Sequence, residues 1–310
     1  MSELNRRRFL SISAAAFATA GFGQFAAAAP ITQWHGVAMG AAASIRLRHP
    51  EAKRIIKAAL AEIDRLENIF SLYRAHSHLS QLNATGRLDH PPFELLEVLG
   101  LCGSLHTATQ GRFDPTVQPL WELYAEHYSA GRVLDQTEID EVLHTVGWRN
   151  LKVDTGAIAF AKPGMALTLN GIAQGFIADK VAALLRNEGL SDVLVDTGEL
   201  RAVGGHPDGG GWPVTLKNPR AGLKADHLEL ADKALATSAV LGTVFDEHGR
   251  VGHILDPRTG RPAPARWSRV SVVAPRAASA DGLSTAMCLM SRREIEVVGK
   301  AFPDARIILA

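Results

Sequence analysis

The hydrophobic positions change period several times along the chain. AASIRLR (42–48) alternates apolar and polar residues and predicts a half-buried strand. Directly after it, residues 51–70 set Ile55, Ile56, Ala59, Leu60, Ile63, Leu66 and Phe70 at helical spacing, which predicts a long amphipathic helix. Helical patterns recur over 92–111, closed by Gly111, and over 137–147, opened by a capping Thr137 and stopped by Gly147. Strand patterns follow at 151–154, 157–161 and 165–169, then a helix over 171–188. Further strands are expected at 192–196, 212–217 and 269–275, helices at 278–291 and 293–301, and a last strand at 305–310. SLYRAHSHLSQLN (71–83) reads as a polar loop, and HPDGGG (206–211) and DPRTGRPAPAR (256–266) as turn-rich segments. Strands and helices that mix without strict alternation predict an α+β layered fold. No G-x-G-x-x-G follows a strand, so the doubly wound dinucleotide fold has little support.

The head of the chain follows a different pattern. Asn5-Arg6-Arg7-Arg8-Phe9-Leu10 precedes a short, alanine-rich apolar run ending in FAAAAP. A basic start, a short apolar region and an A-x-A ending describe an export signal, here of twin-arginine type. Gly21, Gly23 and Gln24 interrupt the apolar run, which makes it a poor membrane span. Residues 1–29 are therefore expected to be a signal peptide cut near Ala28 or Ala29, with one domain over 30–310 working in the periplasm.

Composition narrows the partners. A formal net charge of +1 lacks the basic footprint of a nucleic-acid binder. The chain has two cysteines, Cys102 and Cys288, each inside an apolar helical pattern, which favours two buried thiols over a disulfide. No Cys/His cluster has zinc spacing.

Several short stretches carry candidate chemistry. In ASADGLSTAM (278–287), Asp281 and Thr285 are four residues apart and share a helix face. A carboxylate and a hydroxyl one turn apart suit a hard cation such as Mg²⁺; equally, an Asp near a helix start complements the dipole. In LTLNGIAQGF (167–176), Asn170 can cap the following helix. Gly171 and Gly175 leave its start bare, either for a phosphate at the free N–H groups or for close packing. The bare Gly171 backbone can also lend a carbonyl to a metal. Asp114-Pro115 opens a helix in the usual capping manner. Tyr73 is available to stack on a ring, and His253, beside a tight turn, is the natural candidate for proton transfer.

Taken in order, Met39-Gly40, SLYR and LSQLN (71–83), GRFDPTVQPL (111–120), NGIAQGF with its following DK (170–180), GHILDPRTG (252–260) and ADGLSTA (280–286) resemble the ApbE family, the FAD:protein FMN transferases. The resemblance runs from about residue 34 to 310. It implies a mixed, T-fold-like α+β architecture with FAD in a cleft and Mg²⁺ on its pyrophosphate. It also implies transfer of FMN to a threonine or serine hydroxyl of a partner protein, with AMP released. Gly171, Asp281 and Thr285 fall on metal-holding positions, and Met39, Tyr73, Phe113, Asp114, Gln174, His253 and Ile254 on flavin-contacting ones. His253, or else Asp281, is the expected base. Many relatives read D-x-G-G-I-A-K-G where this chain has Thr168, Asn170 and Gln174 in place of the acid, the first glycine and the lysine. This variant, with LVDTGELRAVG (194–204) and the twin-arginine head, is similar to a NosX-type branch, which implies a flavin-acceptor protein of a membrane electron-transfer chain, NosR-like in kind. The same motifs admit an FAD pyrophosphatase, in which water replaces the acceptor, and a non-catalytic FAD-binding accessory protein.

Overall fold

The computed structural model describes residues 30–217 and 224–310. The expected export signal lies outside the described residues. Seven antiparallel strands form the central sheet: β1 (Thr32–Ala38), β2 (Ala41–Leu47), β6 (Val193–Asp196), β7 (Leu200–Val203), β10 (Ala234–Ser238), β11 (Val270–Ala274) and β12 (Arg306–Leu309), in that spatial order. Period-two alternation sends neighbouring side chains to opposite faces. Val193, Val195, Ala234, Ala236, Val270 and Val272 join the main core, whereas Leu194, Leu235 and Val273 join a second cluster. Both faces are therefore covered, which is why β11 is buried at all five positions.

Helices α1 (Ala52–Phe70), α6 (Ala173–Asn187) and α7 (Ala277–Met287) cover the main face. The other face is covered by the two-stranded ribbon of β8 (Trp212–Leu216) and β9 (Asp226–Leu230), through Trp212, Val214, Leu216 and Leu230. Around this centre lie α2 (His78–Thr85), α3 (Phe93–Ala108), α4 (Gln118–Ser129), α5 (Gln136–Leu143) and α8 (Arg292–Gly299). A small sheet of β3 (Arg87–Asp89), β5 (Ala157–Phe160) and β4 (Leu151–Val153) completes the chain. Helices α4 and α5 pack against residues 245–255 through Leu120, Tyr124, Ile139, Phe245 and Leu255. The architecture is α+β. Cys102 and Cys288 are both free and buried, and burial pushes both thiols up. Among the described residues, no helix is long and apolar enough to cross a membrane.

Several local expectations are corrected. The polar stretch 71–83 contains α2, because Ser77 accepts the Ser80 N–H and Gly86, at φ +74°, ends the helix. Its apolar contribution is only Leu79 and Leu82, too little to show as periodicity. Helix α5 is capped by Asp135 in a reciprocal box with Glu138, one turn cycle that takes Thr137 inside the helix. Residues 165–169 belong to no strand or sheet. The Asn83 side chain supplies their rung, its Oδ1 accepting from Leu167 N and its Nδ2 donating to Leu167 O, both at 2.8 Å. Helix α6 starts after Ile172 with no side-chain cap of its own, so Asn170 is not the cap.

That missing cap comes from another helix. Asp281 of α7 accepts the Gly175 N–H at 3.2 Å, in the first turn of α6. In return, Asp179 of α6 accepts the first two N–H groups of α7, Ala277 at 2.9 Å and Ala278 at 3.1 Å. Each helix thus satisfies orphan donors of the other. Reciprocal capping needs the two backbones close together, and Gly175 permits it: a Cβ there would lie 2.4 Å from the Ala277 carbonyl oxygen. Gly175→Ala is therefore expected to destabilise the fold by about 1–3 kcal/mol through overpacking against backbone. Gly100→Ala, in α3 with open space around it, is expected to stabilise by roughly 0.5–1 kcal/mol. Chemical denaturation of both variants checks the opposite signs.

Candidate active site

The first turn of α6, the body of α7 and the end of β10 meet at one place. Asp281 is 3% exposed and held by Gly175 N–H. One turn on, Thr285 Oγ1 lies 3.3 Å from Ser238 Oγ, at the last residue of β10, and Ser238 Oγ is 2.7 Å from Ser284 Oγ. Gly171 closes the group, since a Cβ on it would fall 3.2 Å from Thr285 Oγ1. Glycine at 171 thus leaves bare backbone beside the hydroxyl. The three residues expected to hold a metal are brought together.

Gln174 sits alongside. Gly198, at φ +98°, would place a Cβ 2.8 Å from the Gln174 side-chain amide, and Thr197 Oγ1 donates to the Gln174 carbonyl at 2.9 Å. The tight turn between β6 and β7 therefore lies against the start of α6. It also delivers a residue that the sequence pattern does not single out, Glu199, which is 8% exposed and accepts the Thr237 N–H at 3.1 Å. Burial, reinforced by repulsion from Asp281, pushes the Glu199 carboxyl well above the usual carboxylate range. Burial likewise pushes Asp281 up, against the opposing pull of the Gly175 N–H. Neither carboxylate has an ion-pair partner among the described residues.

Two neighbouring buried carboxyls without a basic partner are unfavourable alone and favour a cation between the site's oxygens. The donor set offered by Asp281, Thr285 and the Gly171 backbone is all oxygen, which fits Mg²⁺. No group of three His, Cys, Asp or Glu side chains is gathered for a metal among the described residues, so any cation here would rely on the hydroxyl and the backbone as well as Asp281.

The remaining sequence candidates fall into two sets. Phe113 faces α7: a Cβ on Gly282 would be 3.4 Å from its ring and 2.4 Å from Leu105. Tyr73 is half exposed and hydrogen-bonds through its side chain to Asn170, next to Gly171. Met39 sits at the tip of the β1–β2 hairpin in a left-handed conformation, φ +49°. Ile254 is buried in the main core, and His253 precedes it in the loop that leaves β10. The His253 ring bonds through Nδ1 to the Thr243 carbonyl at 3.0 Å, so Nδ1 carries the proton and Nε2 is the free base. Burial lowers its pKa, so the ring is neutral at neutral pH.

Asp114 is used structurally. Its carboxylate accepts from Thr116 N (2.9 Å), Thr116 Oγ1 (2.6 Å) and Trp148 N (3.0 Å), and it caps the short 3₁₀ turn Pro115–Val117. Asp256 of the DPRTG stretch is likewise committed, binding the Arg258 guanidinium through both oxygens at 2.9 and 2.6 Å.

The chain as a whole is similar to known proteins. The FAD:protein FMN transferase of Vibrio cholerae serotype O1 is 30% identical over 290 residues, covering 88% of this chain and 86% of that one. The FAD:protein FMN transferase of Haemophilus influenzae is 28% identical over 268 residues, covering 81% and 75%. Among solved structures, the ApbE protein of Thermotoga maritima superposes with a TM-score of 0.82 at 27% identity, over 90% of this chain and 94% of that one. The apo form of the Pseudomonas stutzeri flavinyl transferase ApbE gives a TM-score of 0.79 at 26% identity, over 91% of each. The family model described as "ApbE family" matches residues 39–307, and the chain belongs to that family.

Proposed function

We propose that this enzyme, a FAD:protein FMN transferase, moves the FMN half of FAD onto a threonine or serine hydroxyl of a partner protein. AMP is the leaving group, Mg²⁺ is bound at Asp281, Thr285 and the Gly171 backbone, and the reaction takes place in the periplasm. The observation that carries this reading is the junction of α6 and α7. There this chain brings Asp281, Thr285 and the bare Gly171 backbone together, with a second buried carboxyl, Glu199, close to Asp281. The periplasmic setting is supported by the twin-arginine pattern at Asn5–Leu10. A NosX-type branch, with a NosR-like acceptor in a membrane electron-transfer chain, follows from the same head and the L-N-G-I-A-Q-G variant.

In the transfer, the acceptor oxygen attacks the phosphorus on the riboflavin side of the pyrophosphate. A new P–O ester bond forms, the bond from that phosphorus to the bridging oxygen breaks, and AMP leaves with the electron pair. Phosphoryl transfer of this kind depends mainly on positioning and charge neutralisation. Bound Mg²⁺ would supply that neutralisation on the pyrophosphate and the leaving group. His253 Nε2 takes the hydroxyl proton, because its Nδ1 is engaged by Thr243 and its neutral form is kept by burial. Gln174, in the place of a lysine in many relatives, contributes hydrogen bonding without charge. Met39, Tyr73, Phe113 and Ile254 provide the apolar walls for the flavin.

Incubating the protein with FAD, Mg²⁺ and a threonine-bearing acceptor domain should add one FMN to the acceptor's mass and release AMP. Free FMN with no mass gain would instead make the protein a pyrophosphatase, and FAD binding without turnover an accessory protein. Asp281→Ala is expected to abolish transfer and to weaken Mg²⁺ binding measured by calorimetry. His253→Ala should slow transfer by about 10²–10⁴-fold, the usual worth of a general base, with FAD affinity retained.

The pH dependence has a definite sign. The base is the neutral imidazole, and burial moves its pKa below the ordinary 6.5. At saturating Mg²⁺, single-turnover rates should therefore hold steady as pH falls to 6.5, and the acid limb should lie below that value. An acid limb above it would remove His253 as the base.

A further inference from the structure

The β1–β2 hairpin turns in two residues, Met39 and Gly40, with φ +49° and +76°. Both central residues at positive φ mark the turn that matches strand twist, normally filled by Asn-Gly or Gly-Gly. Methionine is a costly residue in that conformation, so something must hold it there. Its backbone N–H points at Glu67 Oε1, 2.5 Å away, in the last turn of α1. The other Glu67 oxygen accepts from Arg74 Nη2. Arg74 in turn donates to Asp64 Oδ1 at 2.8 Å and to Asn68 Oδ1 at 2.7 Å. The Glu67 side chain is only 15% exposed.

One carboxylate thus ties three segments together: the hairpin tip, the end of α1, and the loop 71–77. That loop is itself pinned. Ser71 Oγ accepts the Tyr73 and Arg74 N–H groups at 3.0 and 3.2 Å, and the Tyr73 side chain reaches Asn170 beside Gly171. Met39 and Tyr73 are the two residues on these segments read above as flavin contacts. Their spacing is set through Glu67.

We infer that Glu67 is a positioning residue for flavin binding: it holds the strained Met39 turn and, through Arg74, the Tyr73 loop in the relative placement that receives the isoalloxazine. This rests on the flavin-transferase reading of the site. A charge-assisted bond to a backbone N–H and an ion pair to a guanidinium are among the stronger polar contacts, and both end on one side chain. Preorganisation of this kind acts on ligand affinity more than on the chemical step. The phosphate end, at Asp281 and Thr285, is held by Gly175 and Ser238 instead.

The test compares Glu67→Ala, Glu67→Gln and Asp64→Ala with the parent protein. FAD affinity is measured by flavin-fluorescence titration, bound-flavin geometry by visible circular dichroism, and transfer by KM for FAD and kcat. Glu67→Ala should weaken FAD binding by about tenfold, the worth of one lost charge-assisted contact. It should reduce the bound-flavin dichroism and raise KM with kcat at saturating FAD little changed. Glu67→Gln, which keeps an oxygen for the Met39 N–H but sets an amide N–H against Arg74, should recover part of the affinity. Asp64→Ala, which removes only an exposed partner of Arg74, should bind as the parent does. Parent-like affinity and dichroism in Glu67→Ala would overturn the inference, as would a loss confined to kcat, or a Glu67→Gln no better than alanine. A parent protein that fails to bind FAD at all would instead overturn the flavin-transferase reading.

Discussion

Two helices that finish each other's first turns organise the whole molecule. Asp179 of α6 accepts the leading N–H groups of α7, and Asp281 of α7 accepts an N–H from the first turn of α6. The exchange is possible only where the backbones nearly touch, at Gly175 and Ala277. Asp179 is steadied from outside by Arg201 at 3.3 Å and Arg276 at 3.9 Å. Asp281 has no such partner among the described residues, and a second buried carboxyl, Glu199, lies within reach of its field. The same motif is therefore neutralised at one end and left electrostatically incomplete at the other. The two ends divide along that line: the Asp179 carboxylate is paired, and the Asp281 carboxyl is the one that the proposed metal site uses. Burying an unpaired carboxylate costs several kcal/mol, so the incomplete end gains most from a bound cation.

Several of the loops around the site start from this junction. Ser238 ends β10 against Thr285 and hands the chain to the loop bearing His253. The β6–β7 turn lies on Gln174 and brings in Glu199. Phe113 reaches α7 across Gly282. The hairpin of Met39 and the loop of Tyr73 lie on the other side, coupled through Glu67 and Arg74. Met39 and Tyr73 are thus held by a different network from the one that holds Asp281 and Thr285, whereas Phe113 packs on α7 itself.

Much of this was legible in the sequence, for identifiable reasons. Long amphipathic segments such as 51–70 announce themselves because one helix face is apolar over many turns. Strands buried on both sides, such as β7 and β10, do not alternate, and LRAV and ALATS carry too few residues to stand out. Spacing placed Asp281 and Thr285 on one face, and order of motifs placed Gly171 with them. Glu199 escaped because its importance comes from what the fold folds against it, not from a local pattern. Glycines 171 and 175 were ambiguous between phosphate binding and close packing. At 175 packing wins, since its N–H is already spent on Asp281. The turn-capping role of Asp114 was legible from the Asp-Pro pair, and the structure bears it out. Residues 165–169 look like a strand because buried Met165, Leu167 and Leu169 alternate with Ala166 and Thr168, yet they enter no sheet.

That last case shows something about the residue that stands in for the neighbour. Asn83 offers Leu167 an acceptor and a donor at once, both at 2.8 Å, and so imitates a peptide unit of an adjacent strand. Aspartate has the same shape and lacks the donor, so it would set a carboxylate oxygen against the Leu167 carbonyl. Serine is too short to span both groups, and glutamine adds a methylene that pushes the amide past them. A single primary amide of one length is therefore the only side chain that fits this place. Position 83 is chemically narrow, and the segment it steadies leads straight into Asn170, Gly171 and the start of α6.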